Sequence, residues 1–491
     1  MLKQLIAYGI RRGLIDEADT LWAYNSLLAV MGLDGEEGPA PTKPPLPLEE
    51  MLAVLTDDAV RRGICGEDID SRDRFDTALM GVLTPRPAQV RSTFRRLYDE
   101  NPKAATDWFY VFSGDTNYIR RQRVAKDLRW TVDTAYGALD MSINLSKPEK
   151  DPKAMAALRK AKNTSYPLCA LCPENEGYAG RPGHPARQNH RIIPLTVAGE
   201  RWYFQYSPYV YFNEHCILLS DAHRPMSITP VTFRRLLDFV TQFPHYFMGS
   251  NSDLPIVGGS IQTHDHFQGG SYTFPMDRAE EERTFTVPGF EDVEAAILRW
   301  PLSVIRLRGI EAERVALLAD HILEVWRTYS DPAAEILAQS EGEPHNTVTP
   351  IARRRGAAYE LDLALRNNRT TAEHPLGLFH PHAEIHHIKR ETIGLIEVMG
   401  LAILPPRLKG ELQAVEELLV SGGDLYASPL SAPHAPWAEG LRKKYAFTAE
   451  NVHEILFREV GQVFTAGLEH AGVFKCTPEG RDAFRHFTDS L

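Results

Sequence analysis

Thr263-His264-Asp265-His266-Phe267-Gln268 decides the reading of this chain. It follows Leu254-Pro255-Ile256-Val257-Gly258-Gly259-Ser260, an apolar run that ends in glycines. Read as a strand, the stretch alternates its side chains between two faces. His264, His266 and Gln268 then point one way, and Asp265 and Phe267 the other. Two imidazoles and a carboxamide on one face are costly to bury without partners. The trio suits attack on phosphorus. One histidine can be the nucleophile, the other can bind a metal, and the glutamine amide can hydrogen-bond a phosphoryl oxygen. The glycines let a backbone come close to a bulky anion.

The flanking sequence alternates strands and helices. Trp202 through Tyr206 and Tyr209 through Ser220 read as strands separated by Ser207-Pro208. Thr232 through Phe243 reads as a helix that Pro244 ends. Upstream, residues 1 to 135 read as mainly helical, with helix-spaced apolar positions from Leu14 through Val30 and from Met51 through Ile64. Ala138 through Leu145 reads as a strand, followed by a basic loop with Lys147, Lys150 and Lys153. Downstream, Val293 through Leu337 reads as a mostly helical connection. A second strand-rich block then holds His380 through Leu404, and helices at Lys409 through Leu419 and Asn451 through Leu468 close the chain. Two blocks of similar build suggest an ancient duplication. The fold class expected is α+β, with antiparallel sheets, an N-terminal helical region and helical insertions.

With 491 residues, the chain can build a large core or more than one domain. A net charge of −11 argues against a general nucleic-acid binder, so an anionic substrate needs local positive charge. No apolar run approaches the roughly 20 residues that span a bilayer. The amphipathic start lacks the features of a signal peptide. Five cysteines are few for this length, which speaks against a disulfide framework and for a reduced, cytoplasmic setting.

Cys169-Ala170-Leu171-Cys172 is a C-x-x-C pair in a loop. Tetrahedral zinc needs four N or S ligands, and His223 and His264 are candidates for the other two. Two thiolates and two imidazoles match zinc better than iron. Alternatively the cysteines are small buried hydrophobes. His266 is then the nucleophile. A neutral imidazole nitrogen attacks phosphorus and forms a phosphoramidate, while the other ring nitrogen carries its proton to an acceptor such as a backbone carbonyl. The basic loop is either a phosphate contact or a solvated turn. Arg120, Arg121 and Arg123 read as a helix face. Arg353-Arg354-Arg355 reads as a phosphate contact or a surface triplet. His380-Pro381-His382-Ala383-Glu384-Ile385-His386-His387, taken as a strand, puts His380, His382, Glu384 and His386 on one face as a second metal site, a polar substrate wall or a satisfied network.

Together these stretches resemble the galactose-1-phosphate uridylyltransferase family, and within it the longer branch of UDP-glucose–hexose-1-phosphate uridylyltransferases. The resemblance is carried by Ile143 through Lys153, Phe204 through Tyr209, Asn213-Glu214-His215, Gly258 through Gly270, His380 through His387 and Gly394 through Gly400. It implies two histidine-triad-like units, at residues 136–290 with the His-x-His-x-Gln motif and 341–491 with C-terminal helices. Before and between them lie the helical region 1–135 and the connection 291–340.

The activity implied is a ping-pong exchange of UMP between UDP-glucose and galactose 1-phosphate through a uridylyl-histidine. His266 and Gln268 are its catalytic pair, and Cys169, Cys172, His223 and His264 its zinc ligands. Ser260, Gly259, Asn213, Lys147, Lys153 and Glu397 contact substrate. Also implied are UDP-glucose or UDP-galactose and hexose 1-phosphates as small-molecule partners, no organic cofactor, no nucleic acid or membrane, and a cytoplasmic homodimer. Thr263 and Asp265 depart from the prolines of the shorter branch. The competing readings are a nucleotide hydrolase or phosphorylase of the same superfamily and a non-catalytic, metal-stabilised nucleotide-sugar binding protein. Gln268 speaks against hydrolysis, because an amide cannot protonate a leaving group as a third histidine does.

Overall fold

A computed structural model describes residues 1–35, 46–145, 166–259 and 261–491. Lys147, Lys150, Lys153 and Ser260 lie outside the described residues. The N-terminal part is helical: α1 (Leu2–Arg11), α2 (Thr20–Met31), α3 (Leu48–Arg61), α4 (Ile69–Leu83), α5 (Pro87–Glu100), α6 (Pro102–Asp115) and α7 (Arg121–Val124). Strands β1 (Leu128–Thr134), β2 (Gly137–Ile143), β3 (Ile193–Val197), β4 (Glu200–Tyr206) and β5 (Cys216–Ser220) follow, then helix α8 (Pro230–Gln242). Next come β6 (Phe247–Gly249), β7 (His266–Gly270), β8 (Glu281–Phe285), β9 (Glu294–Leu298), β10 (Val304–Gly309) and helix α9 (Ala312–Thr328). A small hairpin, β11 (Gln339–Ser340) and β12 (Glu343–Pro344), precedes β13 (Asn346–Arg355) and β14 (Ala358–Asn367). The rest holds α10 (Leu395–Val398), β15 (Leu401–Leu404), α11 (Leu408–Ser421), α12 (Ala435–Lys444), α13 (Val452–Ala471) and α14 (Pro478–Asp489). The fold is α+β, and its strands pair antiparallel except for β2 with β15.

The chain forms two compact units. The first comprises Met1–Lys126, Ser146–Val210 and Glu214–Arg224. Two of its helices, α5 and α6, start with proline in the first turn, where the missing N–H is one the helix leaves unpaired anyway. Asn101 caps α6 by accepting from Lys103 N–H at 2.9 Å. Helix α6 is fastened to β4 twice over. Phe109 packs on Phe204 and Tyr206 at ring-centre distances of 5.9 and 5.5 Å, and Tyr206 donates to the Thr106 carbonyl at 2.8 Å. Strands β3, β4 and β5 form an antiparallel meander in which Ile193 faces Phe204 and Tyr206 faces Cys216.

The second unit comprises Asp127–Leu145, Tyr211–Asn213 and Pro225–Leu491. Its larger sheet runs β7-β6-β13-β14-β10-β9-β8, antiparallel throughout. Strands β13 and β14 are buried along most of their length. Trp326 of α9 is fully buried and donates to the Thr347 carbonyl at 2.9 Å, which seats α9 on β13. A second sheet, β1-β2-β15, pairs β2 with β15 in parallel. Helix α13 lies close over it: a methyl group added at Gly461 would sit 2.6 Å from Val132. Methionine, leucine, valine and phenylalanine side chains from both sheets, α11 and α13 share one core.

Several sequence expectations changed on contact with tertiary structure. The strand expected from Thr263 begins only at His266, so His264 precedes it. The strand expected from Tyr209 begins at Cys216, because Val210 and Glu214 have positive φ angles of 44° and 54°. The stretch Val293–Leu337 contains β9 and β10 before its helix, both short and heavily buried. His380 through His387 is no strand but a loop with one 3₁₀ turn at Ala383–Ile385. Both arginine clusters make ion pairs, and the helix expected at Arg121 and Arg123 is α7. Arg353 is 4% exposed and pairs with Asp277, Glu360 and Asp362 at 2.6, 2.8 and 2.6 Å. Arg354 covers the Tyr359 ring and Arg355 reaches Glu360. Arg120, Arg121 and Arg123 pair with Asp76, Asp115 and Asp73, each through a bond of 2.7 Å.

Candidate functional site

The segment before β7 is a tightly self-bonded loop. Gln262 donates its amide N–H to the Leu254 carbonyl at 2.9 Å, and Ser252 donates to the Val257 carbonyl. A Cβ at Gly258 would lie 2.0 Å from Gln262 Nε2 and 2.6 Å from the Ser252 carbonyl. At Gly259 it would lie 2.7 Å from Asn251 Nδ2. The glycines therefore let the loop approach itself, a closeness that no side chain tolerates. Asn251 also accepts from Leu395 N–H at 2.9 Å, and Asp253 accepts from Ile228 N–H and Thr347 Oγ1 at 2.8 and 2.6 Å. These bonds tie the loop to the segment leading into α8, to β13 and to α10.

Asp265, 3% exposed, faces Arg235 of α8 across 3.6 Å. Sequence reading overlooked Arg235. Its signal was an arginine inside the apolar stripe of a helix that buries Phe233, Leu236, Phe239 and Val240, where only an ion partner makes a guanidinium tolerable.

His266 opens β7 and is 6% exposed. Its Nδ1 lies 2.8 Å from the His264 carbonyl oxygen. A carbonyl only accepts, so Nδ1 carries the proton and Nε2 keeps its lone pair. Burial pushes the imidazole down to about 4, with the His264 carbonyl bond opposing, so the ring is neutral at physiological pH. Gln268 is half-buried two residues along the same strand, hence on the same face, and pairs in register with Gly249. Asn213 is exposed and donates to the Ser271 carbonyl at 3.3 Å. Glu397 is buried. It receives Lys389 Nζ at 2.6 Å and the N–H groups of Gly394 and Ile403 at 3.1 and 3.4 Å.

In the first unit, the C-x-x-C loop and His223 come together. Cys169 Sγ is 3.5 Å from Cys172 Sγ, which is 3.2 Å from His223 Nδ1. Backbone N–H groups of Cys169 and Leu171 point at the two sulfurs at 3.3 and 3.4 Å, an arrangement that favours thiolates. Asn175 holds the loop by donating to the Cys169 and Cys172 carbonyls, both at 2.8 Å. Without a cation, burial pushes the Cys172 thiol up to about 12. Two sulfur donors and an imidazole in mutual contact fit a soft or borderline divalent metal. His264, in the second unit, is fully buried.

The second histidine cluster breaks up. His380 and His386 both bond the Pro381 carbonyl. His382 stacks between His374 and His470 at ring distances of 4.0 and 4.2 Å, and Glu384 approaches His470 Nε2 at 3.5 Å. Ligand atoms of His382, Glu384 and His470 lie within 4.8 Å of one another. The His382 and His470 rings lie 15° from parallel, however, so their in-plane lone pairs run side by side rather than converge. His387 bonds His434 at 2.9 Å.

Comparison with known proteins places these features in one family. Residues 55–225 match the family model described as galactose-1-phosphate uridyl transferase, N-terminal domain, and residues 239–439 match its C-terminal domain. The chain is similar to the galactose-1-phosphate uridylyltransferase of Bacillus subtilis (strain 168), at 51% identity over 100% of this chain and 97% of the relative. The protein of the same name from Clostridium acetobutylicum is 47% identical over 100% of this chain and 99% of its own. Among solved structures, yeast Ap4A phosphorylase Apa2 aligns with a TM-score of 0.35 and 10% identity, covering 73% of this chain and 97% of that one. The chain belongs to the galactose-1-phosphate uridylyltransferase family.

Proposed function

We propose that this chain exchanges a uridylyl group between UDP-glucose and galactose 1-phosphate, with His266 as the nucleophile. The observation that carries the proposal is the 2.8 Å bond between His266 Nδ1 and the His264 carbonyl, which leaves Nε2 as a bare, oriented lone pair. In the first half-reaction, Nε2 bonds to the α-phosphorus of UDP-glucose and the bond to the β-phosphate oxygen breaks, releasing glucose 1-phosphate. In the second, a phosphate oxygen of galactose 1-phosphate attacks the same phosphorus and the P–N bond breaks, giving UDP-galactose and restoring His266. The Nδ1–H bond strengthens as positive charge develops on the ring. Gln268, on the same strand face, donates its amide N–H to an α-phosphoryl oxygen. It carries no titratable proton, which favours an intermediate that waits for a sugar phosphate over one that hydrolyses.

Cys169, Cys172, His223 and, as the fourth ligand, His264 hold zinc in this proposal. The donor set supports zinc, which here supplies structural restraint and no chemistry. Gly259 and Asn213 contact substrate, and so do Ser260, Lys147 and Lys153. A homodimer and a cytoplasmic setting belong to the same proposal. Among the described residues, no helix is long and apolar enough to cross a membrane.

The test is incubation with UDP-glucose labelled in its uracil, without acceptor. The expected result is about one acid-labile uridylyl group per chain, chased off by galactose 1-phosphate and absent in His266→Ala. An unlabelled wild-type chain would overturn the proposal.

A further inference from the structure

The hairpin of β11 and β12 brings together three polar side chains that uridylyl transfer does not use. Ser340 pairs with Glu343 across a turn whose central residues, Glu341 and Gly342, have φ of 52° and 85°. That left-handed pair makes the tight turn which brings the two short strands back on each other. His345 follows β12 and Asn368 follows β14. Two backbone bonds hold these segments in place: His345 N–H to the Ala338 carbonyl at 2.9 Å, and Asn368 N–H to the His345 carbonyl at 3.1 Å.

Ser340 Oγ lies 2.6 Å from His345 Nε2, and His345 Nδ1 lies 2.7 Å from Asn368 Oδ1. The amide oxygen only accepts, so Nδ1 carries the imidazole proton and Nε2 receives the serine hydroxyl. Nucleophile, base and orienting group thus follow one another within hydrogen-bond reach, in the tautomer a general base requires. His345 is 7% exposed, which holds the ring. Ser340 is half-buried at the surface, and Glu341, Gly342 and Glu343 around it are exposed, so a small molecule can reach the hydroxyl.

We propose that Ser340, His345 and Asn368 form a second, acyl-transfer centre acting on small neutral esters. Ser340 Oγ bonds to the ester carbonyl carbon while its proton passes to His345 Nε2. Collapse of the adduct breaks the bond to the alcohol oxygen, which leaves with that proton, and an acyl-Ser340 remains. Water then attacks the acyl carbon, giving its proton to His345 Nε2, and the carboxylic acid departs as Ser340 takes the proton back. Asn368 is a positioning residue that keeps Nε2 bare. The carboxylates of Glu341 and Glu343 repel anionic esters, which sets the preference for neutral ones.

The test treats the full chain with p-nitrophenyl acetate and maps acetyl groups by peptide mass spectrometry. The expected result is an initial release of p-nitrophenol with acetyl on the peptide that contains Ser340, and loss of that acetyl in Ser340→Ala. His345→Ala slows acetylation of Ser340 by about 100-fold or more, the usual worth of a general base. Asn368→Leu slows it as well, whereas Asn368→Asp, which still accepts from Nδ1–H, restores it. His345 is buried and its alanine variant can fail to fold. Ser340→Ala, with folding checked by circular dichroism, and the map of the wild-type chain keep the test decisive. Absence of acetyl on Ser340 in the wild-type chain overturns the proposal, and so does a His345→Ala variant that folds and acetylates at the wild-type rate. Either result reduces the three side chains to a clip that closes the hairpin.

Discussion

Glu397→Gln separates two roles for a buried carboxylate that the family resemblance associates with the hexose. Glu397 and Lys389 are 5% and 3% exposed, and their charged atoms meet at 2.6 Å. The variant leaves the Lys389 ammonium in the interior with one other acid in reach, Glu391 at 3.7 Å. Breaking a buried pair by removing one partner costs about 3–5 kcal/mol, because the remaining charge is uncompensated. The N–H groups of Gly394 and Ile403 also lose a charged acceptor, at about 1 kcal/mol each. Glu391 returns part of this, so the net expectation is a loss of about 3 kcal/mol.

Urea unfolding followed by tryptophan fluorescence reads the loss. Trp300 donates to the Val398 carbonyl at 2.9 Å, beside the altered residue. Lys389→Met and the double variant complete a cycle, in which a coupling of about 2 kcal/mol is expected for charges in direct contact. The KM for galactose 1-phosphate should stay within about twofold in the surviving folded enzyme, since twofold is well under the 1.4 kcal/mol that a tenfold change represents. A variant that keeps its stability within about 1 kcal/mol while its KM rises tenfold or more would refute the structural argument and return Glu397 to the substrate.

Three further outcomes follow from the geometry. Gln268→Ala should lower kcat by about 100-fold, the usual loss for one donor to a developing oxyanion, and an unchanged kcat would remove Gln268 from the phosphoryl contact. His190 is buried, donates to Gln205 Oε1 at 2.9 Å and is pushed down to about 3 by burial and by Arg187. The unfolded state then takes up a proton near pH 6.5 that the folded state refuses until about pH 3. Stability should therefore be full above pH 6.5 and fall on acidification by up to about 1.4 kcal/mol per pH unit from this group, and His190→Gln should flatten the slope by that amount in urea titrations at pH 7 and pH 5. Asn175→Ala frees the carbonyls of Cys169 and Cys172, so zinc affinity measured by competition with a chelator should drop about 10- to 100-fold. Unchanged affinity would mean that the loop is held without it.

How legible the molecule was depended on the range of the interaction. Helices such as α3, α8 and α13 could be read because their apolar spacing and first-turn prolines or acids are local. The C-x-x-C pair and His223 could be read because ligand chemistry restricts which residue types meet. Arg353 could not. Three arginines in a row look solvated until β14 sets Glu360 opposite Arg353 and Asp362 two residues further along the same strand. Strands β9 and β10 were missed for a similar reason. Buried on both faces, they lack the alternation that marks a strand with one wet side. The 380–387 segment misled in the opposite direction, since its every-other-residue histidines imitate that alternation while the backbone makes a 3₁₀ turn.

The motif at residues 264–268 shows the same limit on a smaller scale. Alternation assigned His264 and His266 to one strand face, a relation between side chains. In the fold the strand starts at His266, and the hydrogen bond between the two residues runs from the His266 ring to the His264 backbone carbonyl. That bond selects the Nδ1–H tautomer, which any residue at 264 could do if its carbonyl stayed in place. The identity of residue 264 can bear on His266 only through its ring, and a metal on that ring would hold the carbonyl where His266 needs it. His264→Asn is the discriminating change, because it keeps the backbone and offers no imidazole to a metal. If it lowers both zinc content and uridylylation of His266, the metal and the nucleophile are coupled through one carbonyl. If zinc falls and uridylylation at saturating UDP-glucose does not, the carbonyl is held by Asp265 and Arg235 and the self-bonded loop alone.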